Sequence, residues 1–113
     1  MHELSIVMSI ITIAEKESAK NNVSTVEEIE LDIGELSGID LPAFEFAWEQ
    51  AIKSTILDRT LKVVNHIAGE GRCEGCDTVF PMRQLYDACP VCGDHFIIVQ
   101  KGKEMRVKSL VVN

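Results

Sequence analysis

The sequence lacks any apolar run that approaches the ~20 residues of a membrane-spanning helix. It also lacks a secretory signal, since no cationic segment precedes the apolar residues after Met1, and Ser5, Ser9 and Thr12 interrupt them. Basic residues are in the minority: 11 Lys and Arg stand against 18 Asp and Glu, and the formal net charge is −7. A surface of that sign repels phosphate backbones. We therefore expect a cytoplasmic protein that binds neither membranes nor nucleic acid.

Catalytic motifs are missing as well. The chain contains no Ser/His/Asp set, no phosphate-binding loop and no pair of carboxylates that a pocket would use for acid–base chemistry. Its composition, 46% hydrophobic and 26% charged, suits one or two small globular units and does not suit a disordered chain. We therefore predict a folded protein that is not an enzyme.

Two segments show the periodicity of helices. Residues 4 to about 20 carry a polar stripe at steps of three or four, opposite a wide apolar face. Many of these residues are β-branched, which lowers helix propensity, so this helix needs a sheet to pack against. Asp40-Leu41-Pro42 opens the second helix, with Asp40 as the N-cap and Pro42 in the first turn.

Three segments show the periodicity of strands. In residues 29–33 apolar side chains alternate with acidic ones, which predicts a half-buried strand with a solvated acidic face that includes Asp32. Residues 61–67 form a second candidate strand. The segment 105–112 forms a third, and its apolar positions change phase halfway, which indicates a bulge.

All four cysteines lie in two CxxC knuckles, Cys73–Cys76 and Cys89–Cys92. Two residues between cysteines let both sulfurs bind one ion, and we expect Gly75 and Gly93 to supply the positive φ that such knuckles need. The linker 77–88 is long enough to bring the second knuckle back to the first. Disulfides and a thioredoxin-type redox pair are the alternatives, but a reducing cytosol favours metal thiolates.

The cysteine pattern therefore predicts one tetrahedral Zn(II) bound by Cys73, Cys76, Cys89 and Cys92. Such a site is coordinatively closed and hence structural. We predict an α+β fold with two helices packed on a small three-stranded sheet and an inserted four-cysteine zinc-ribbon domain. Residues 1–68 plus 103–113 would form the discontinuous α/β domain, and residues 69–102 the zinc ribbon.

The N-terminus has a second set of possible metal ligands. Histidine is too bulky for the usual removal of the initiator, so we expect Met1 to remain with a free amine. The amides of His2 and Glu3 lie at the start of the helix, where backbone N–H groups have no intrahelical partner. Backbone nitrogens with an adjacent imidazole form fused chelate rings that favour square-planar Ni(II) or Cu(II). A solvated surface histidine is the competing interpretation of His2.

Four features follow one another along the chain: MHE before a helix, the strand and loop IELDIGELSGID, the late CxxC…CPVCG ribbon and the return strand EMRVKSL. This ordered combination resembles the HypA/HybF family. The resemblance implies a nickel metallochaperone that holds transferable Ni(II) at the N-terminus through His2 and Glu3 and structural Zn(II) at the cysteines. It also implies work with an accessory GTPase of the HypB type in loading the large subunit of a nickel-iron hydrogenase. In some organisms the family also serves urease, so urease accessory proteins are a further expected partner class.

Two more residues are candidates for the nickel shell. The resemblance makes Asp40 a candidate carboxylate ligand, and capping of the second helix is the competing role. His95, shortly after Cys92, is a further candidate, against the interpretation of an exposed loop histidine. His66 is expected to be structural or at the surface. The alternative function is a zinc-ribbon interaction module without transferable nickel.

Overall fold

The computed structural model describes residues 3–113. Its elements are α1 (Glu3–Lys20), β1 (Val26–Gly34), α2 (Leu41–Ala51), β2 (Leu61–Ile67), β3 (Gly69–Cys73), β4 (Val79–Met82), β5 (Ile97–Lys101) and β6 (Met105–Val112). The strands form two three-stranded sheets with the orders β2-β1-β6 and β4-β3-β5. The predicted α+β fold class, with two helices, a small sheet and a four-cysteine segment, is confirmed. No helix among the described residues is long and apolar enough to cross a bilayer.

The chain divides by internal contacts into two compact units. The first contains the residues up to Leu31, Ile39–Val64 and Val107–Asn113, and the second contains Asp32–Gly38 and Asn65–Arg106. The division passes through β1, β2 and β6, so each of these strands has residues in both units. The predicted domains, residues 1–68 plus 103–113 and residues 69–102, are segments expected to fold independently. This division stays a prediction.

In the first unit, α1 buries a narrower face than its sequence suggested. Its buried side chains are Val7, Ile10, Ile11, Ala14 and Ser18. Leu4 and Ile13 were expected on the apolar face, but they are 57% and 44% exposed, and Met8 is 51% exposed as well. The buried residues follow the i, i+3, i+4 spacing of one helical stripe. The apolar residues on either side of this stripe remain exposed to solvent.

The predicted cap of α2 is confirmed. Asp40 has extended backbone angles, and its carboxylate accepts a hydrogen bond of 3.2 Å from the Ala43 N–H. Phe44 and Trp48 are buried one turn apart, with ring centroids 5.9 Å from each other. The Lys62 ammonium lies over both rings and pairs with the carboxylate of Glu45. This face of α2 is therefore held by both apolar burial and charge.

The helix α2 connects two parallel strands. At the start of β1, the Val26 carbonyl accepts from the Thr60 hydroxyl, which directly precedes β2 (2.8 Å). Just past the other end of β1, the Glu35 N–H donates to the Ile67 carbonyl at the end of β2 (2.9 Å). The starts of β1 and β2 are therefore neighbours, and so are their ends, which means that the two strands are parallel. Parallel neighbours need a crossover connection.

Strand β6 runs opposite to β1. The Asn113 N–H donates to the Thr25 carbonyl (3.2 Å), and the Gly34 N–H donates to the Glu104 carbonyl (2.8 Å). The half-buried positions of β6 pass from Met105 and Val107 to Leu110. The interval between half-buried residues therefore changes from two positions to three after Val107, which is the expected change of phase.

Asp32 corrects the expectation of a solvated acidic face on β1. It is 4% exposed, and its carboxylate accepts from the Asn65 amide (2.9 Å) and the Arg106 guanidinium (2.7 Å). These partners belong to β2 and β6, the two neighbours of β1. A buried carboxylate needs such partners because desolvation of an unpaired charge is costly. The alternating sequence places Asp32 on the face of β1 opposite the apolar residues. It does not show which residues cover the face that carries Asp32.

The second unit is built around β3, which pairs antiparallel with both β4 and β5. Its core contains two of the cysteines. The buried cluster consists of Leu36, Cys73, Phe80, Met82 and Cys89, with Ile97 and Val99 packed against it. So small an apolar cluster gives a segment of this size little independent stability, which is the condition under which metal ligation becomes decisive.

Candidate metal centres

The first knuckle forms at the tight connection between β3 and β4. The Cys73 N–H donates to the Thr78 carbonyl and the Asp77 N–H donates to the Cys73 carbonyl, each at 2.9 Å. These bonds close a turn between the end of β3 and the start of β4, and Cys76 lies within it. The sheet thus holds Cys73 in place while the turn presents Cys76.

The second knuckle is closed by its own backbone. The Gly93 N–H donates to the Cys89 carbonyl and the Cys89 N–H donates to the Asp94 carbonyl, each at 2.9 Å. The Val91 N–H points at the Cys89 sulfur at 3.4 Å. An amide directed at sulfur is the arrangement that stabilises a thiolate ligand.

The glycines of the knuckles differ from expectation in one case. Gly93 has φ +77°, as predicted. The prediction for Gly75 is wrong, because Asp77 (φ 60°) is the residue with positive φ in the first knuckle. A Cβ at Gly75 would lie 2.8 Å from the Oδ2 atom of Asp94, the end of a side chain that can move aside, so space alone does not require glycine there.

The structure brings all four cysteine sulfurs together. They lie within 4.8 Å of one another, with 3.5 Å between Cys73 and Cys92 and 3.6 Å between Cys76 and Cys89. A tetrahedral Zn(II) with four Zn–S bonds of about 2.3 Å requires S···S separations of about 3.8 Å. A disulfide would require about 2.05 Å, and all four cysteines are free. The donor set and its spacing therefore fit one tetrahedral, thiolate-preferring ion.

The local environment favours charge on one of these sulfurs. The pKa of the Cys89 thiol is lowered to about 6, first by the Cys92 backbone N–H and against the opposing effect of burial. The pKa of Cys92 is raised to about 12: the Asp94 backbone N–H lowers it, but the neighbouring thiols and burial outweigh that bond. Cys89 is therefore the sulfur whose surroundings in the folded segment favour the thiolate.

The sulfurs also differ in exposure. Cys73 and Cys89 are buried, whereas Cys76 and Cys92 are exposed. Each knuckle therefore contributes one inner and one outer sulfur. Sequence reasoning did not single out Thr78, whose hydroxyl lies 3.1 Å from the outer sulfur Cys76. In the sequence, Thr78 is distinguished only as a residue with a hydroxyl two positions after Cys76, the second cysteine of its knuckle.

For the N-terminal candidates, Met1 and His2 lie outside the described residues. Glu3 is the first residue of α1, and its carboxylate accepts a hydrogen bond of 3.2 Å from the Asp40 N–H. Two candidate nickel ligands from distant parts of the sequence are thus in direct contact. The Asp40 side chain itself is exposed and is engaged in capping α2.

The remaining histidines are both at the surface. His66 in β2 and His95 after the second knuckle are exposed residues of the second unit. Among residues 3–113, the four cysteines are the one group of three or more His, Cys, Asp or Glu side chains whose ligand atoms converge on a point. The role of His95 as a nickel ligand stays a prediction.

Fold and site together define a small α+β protein with a ribbon-type cluster of four cysteines that fits a metal ion. Residues 1–112 match the family model described as hydrogenase/urease nickel incorporation, metallochaperone, hypA. The chain therefore belongs to the HypA family, as its sequence motifs predicted.

Individual relatives agree with this assignment. The chain is 46% identical to the hydrogenase maturation factor HypA of Parabacteroides distasonis, over 99% of this chain and 97% of that protein. It is 39% identical to the HypA of Geobacter metallireducens, over 99% of each. The solution structure of the Ni metallochaperone HypA from Helicobacter pylori is similar, with a TM-score of 0.70 at 31% identity over 99% of this chain and 97% of that one. A second HypA solution structure gives a TM-score of 0.72 at 30% identity, over 100% and 97%.

Proposed function

We propose that this protein is a cytoplasmic nickel carrier for the maturation of nickel-iron hydrogenase, and that it is not an enzyme. It binds Ni(II) at the N-terminus through Met1, His2 and Glu3 and passes the ion on with a partner GTPase. The observation that carries the proposal is the match to the nickel-incorporation family over residues 1–112. Urease is a second possible client, since the family description includes it.

Chelation at the start of a helix is the physical basis of the nickel site. Helix α1 begins at Glu3, so the backbone N–H groups at this point have no acceptor within the helix. Such amides deprotonate and bind a metal without loss of a helical hydrogen bond, and with the His2 imidazole they favour the square-planar geometry of Ni(II). The hydrogen bond from the Asp40 N–H to the Glu3 carboxylate supports this placement, because it brings a residue with a second carboxylate close to the start of α1.

A carrier must also release its ion. Ligands at a chain terminus exchange more readily than ligands in a closed four-thiolate cage. We therefore assign the transferable ion to the N-terminus and a structural Zn(II) to Cys73, Cys76, Cys89 and Cys92. Residues 69–102 would be a folding unit that depends on this zinc, since two of its ligands, Cys73 and Cys89, belong to the small cluster described above.

Delivery requires a partner surface. The proposed partners are a HypB-type GTPase and the large subunit of the hydrogenase, with urease accessory proteins as a further class. In the second unit, Tyr86, Val91 and Phe96 are 76%, 72% and 76% exposed. Exposed apolar side chains of this kind are suited to protein contacts. They also support the alternative function, a zinc-ribbon interaction module without transferable nickel.

Nickel titration separates the two functions. The wild-type chain is expressed without an N-terminal tag, retention of Met1 is checked by intact mass, and Ni(II) binding is measured by calorimetry and by the d–d absorption of square-planar nickel. His2→Ala and a variant with Gly-Ser inserted before Met1 should each lose this absorption. Both changes alter the N-terminal chelate but leave the cysteines intact.

The matched control is His66→Ala, which removes an exposed histidine from the second unit. It should bind nickel like the wild type. Equal binding by all four proteins would refute the N-terminal site and favour the interaction module. His95→Ala, in the same series, tests whether that residue completes the nickel shell.

A further inference from the structure

The outer sulfur of the first knuckle has a neighbour that the proposed function does not use. The hydroxyl Oγ1 of Thr78 lies 3.1 Å from the Sγ of Cys76. Cys76 is exposed, in contrast to Cys73 of the same knuckle. A solvent-facing thiolate is the point at which a four-thiolate centre is open to attack by electrophiles and competing chelators.

The position of Thr78 is fixed by the backbone around it. Its carbonyl accepts from the Cys73 N–H at the end of β3 (2.9 Å). Arg72 braces the same turn, with contacts of 2.8 Å to Glu74 and 2.9 Å to Asp77. The hydroxyl therefore belongs to a braced turn and is held beside the sulfur.

The direction of this hydrogen bond follows from chemistry. A metal-bound cysteine is a thiolate and has no proton to donate, so the threonine O–H must be the donor and the sulfur the acceptor. Bonds to a charged acceptor are stronger than neutral ones. Groups that donate to a ligand atom also hold its orientation and tune its metal bond.

We propose that Thr78 is a positioning residue of the four-cysteine centre, donating its hydroxyl to the exposed thiolate of Cys76 and thereby slowing attack on that sulfur and loss of the metal. The inference rests on the proposed zinc site. Cys92, the other exposed sulfur, receives a backbone N–H from Asp94. Substitutions at Thr78 and Thr12 leave that backbone donor in place, so Cys92 serves as an internal reference.

The test uses the zinc-loaded full chain with four proteins: wild type, Thr78→Val, Thr78→Ser and Thr12→Val. Valine keeps the shape and β propensity of threonine but removes the hydroxyl, and serine restores it. Thr12 is an exposed threonine of α1 whose hydroxyl bonds to the Met8 carbonyl, so it controls for hydroxyl loss elsewhere. Zinc content is measured first, with about one ion per chain expected.

Each protein is then treated with iodoacetamide, and alkylation of every cysteine is followed by peptide mass spectrometry. Zinc transfer to the chelator 4-(2-pyridylazo)resorcinol is timed in parallel. Thr78→Val should raise the alkylation rate of Cys76 relative to Cys92 by roughly threefold to tenfold, less than the roughly 10- to 100-fold effects seen when partners that support metal ligands are lost. Zinc transfer should accelerate by a similar factor, while Thr78→Ser and Thr12→Val behave like the wild type.

Equal Cys76 rates in the wild type and Thr78→Val would overturn the inference. So would a uniform rise at all four cysteines with a lower melting temperature, which indicates a role in the turn alone. If Thr78→Ser binds zinc and Thr78→Val does not, the hydroxyl is required for the centre and the inference stands. If neither variant binds zinc, the inference is overturned. A wild-type chain without zinc would instead refute the proposed zinc site.

Discussion

Asp40 has two candidate roles that one pair of substitutions separates. Its carboxylate caps α2 through the Ala43 N–H, and its backbone N–H donates to Glu3. Asp40→Asn keeps a side-chain oxygen for the cap but removes the charge. Asp40→Ala removes both, while either variant retains the backbone bond to Glu3.

The size of the capping effect follows from helix energetics. Replacement of an N-cap Asp by Ala costs about 1 kcal/mol, whereas Asn caps nearly as well as Asp. Loss of the charge at the helix start costs both variants a further few tenths of a kcal/mol. For a chain of 113 residues, 1 kcal/mol corresponds to roughly 4 °C in melting temperature. We expect a decrease of about 4–6 °C for Asp40→Ala and of less than about 2 °C for Asp40→Asn.

The assay combines thermal unfolding, followed by circular dichroism at 222 nm, with nickel titration of the same samples. If the carboxylate is a nickel ligand, both variants lose nickel affinity to the same extent although only one is destabilised. Asp58 provides a matched control, because its carboxylate accepts from the Ser54 N–H (3.3 Å) in the same unit. Asp58→Ala and Asp58→Asn should leave nickel binding unchanged.

Two results would refute the reasoning about Asp40. Unchanged melting in Asp40→Ala would mean that the observed cap contributes no stability. Wild-type nickel affinity in Asp40→Asn would mean that the carboxylate does not bind the metal and that capping is its whole role.

Three further predictions concern the rest of the chain. Cys73→Ala should abolish zinc binding and unfold residues 69–102 while most of the helical circular dichroism remains; collapse of the whole chain would contradict the proposed domain division. The lowered pKa of Cys89, about 6, belongs to the folded segment, whereas in an unfolded metal-free segment this thiol is protonated at both pH 5 and pH 7. Because residues 69–102 are proposed to fold only with zinc, zinc uptake should release the same number of protons at pH 5 and pH 7, measured by calorimetry in buffers of different ionisation enthalpy; about one more proton at pH 5 would mean that the metal-free segment is already folded. Lys62→Met, which removes the charge above Phe44 and Trp48, should cost about 1 kcal/mol in urea unfolding followed by Trp48 fluorescence; no loss would mean that packing alone holds this face.

Features set by near neighbours in the chain were predictable. The N-cap at Asp40 depends on a residue three positions away, and the CxxC spacing constrains each cysteine pair without reference to the rest of the fold. The positive φ at Gly93 belongs to the same group. Gly75 was misassigned because Asp77 adopts the left-handed conformation in its place, and Asp is one of the few other residues that do so readily.

Features set by distant neighbours were not predictable. Asp32 appeared solvated because alternation shows which side chains share a face but not which elements cover that face. The unexpected exposure of Leu4 and Ile13 on α1 has the same cause. The contact between Glu3 and Asp40 joins residues 37 positions apart, and nothing in the local sequence of either indicates it.

The sequence by itself determined the two helices, the three strands of the first sheet, the α2 cap, the two cysteine knuckles and the family, because these depend on local spacing and on an ordered set of motifs. The strands β3, β4 and β5 of the second sheet were not predicted. The tertiary structure decided that the four sulfurs lie within 4.8 Å of one another. It also decided that Cys76 and Cys92 face solvent and that Asp32 is buried between partners. Those properties arise where strands distant in sequence meet, and the free energy that orders them comes from burial and pairing across the fold rather than from residues adjacent in the chain.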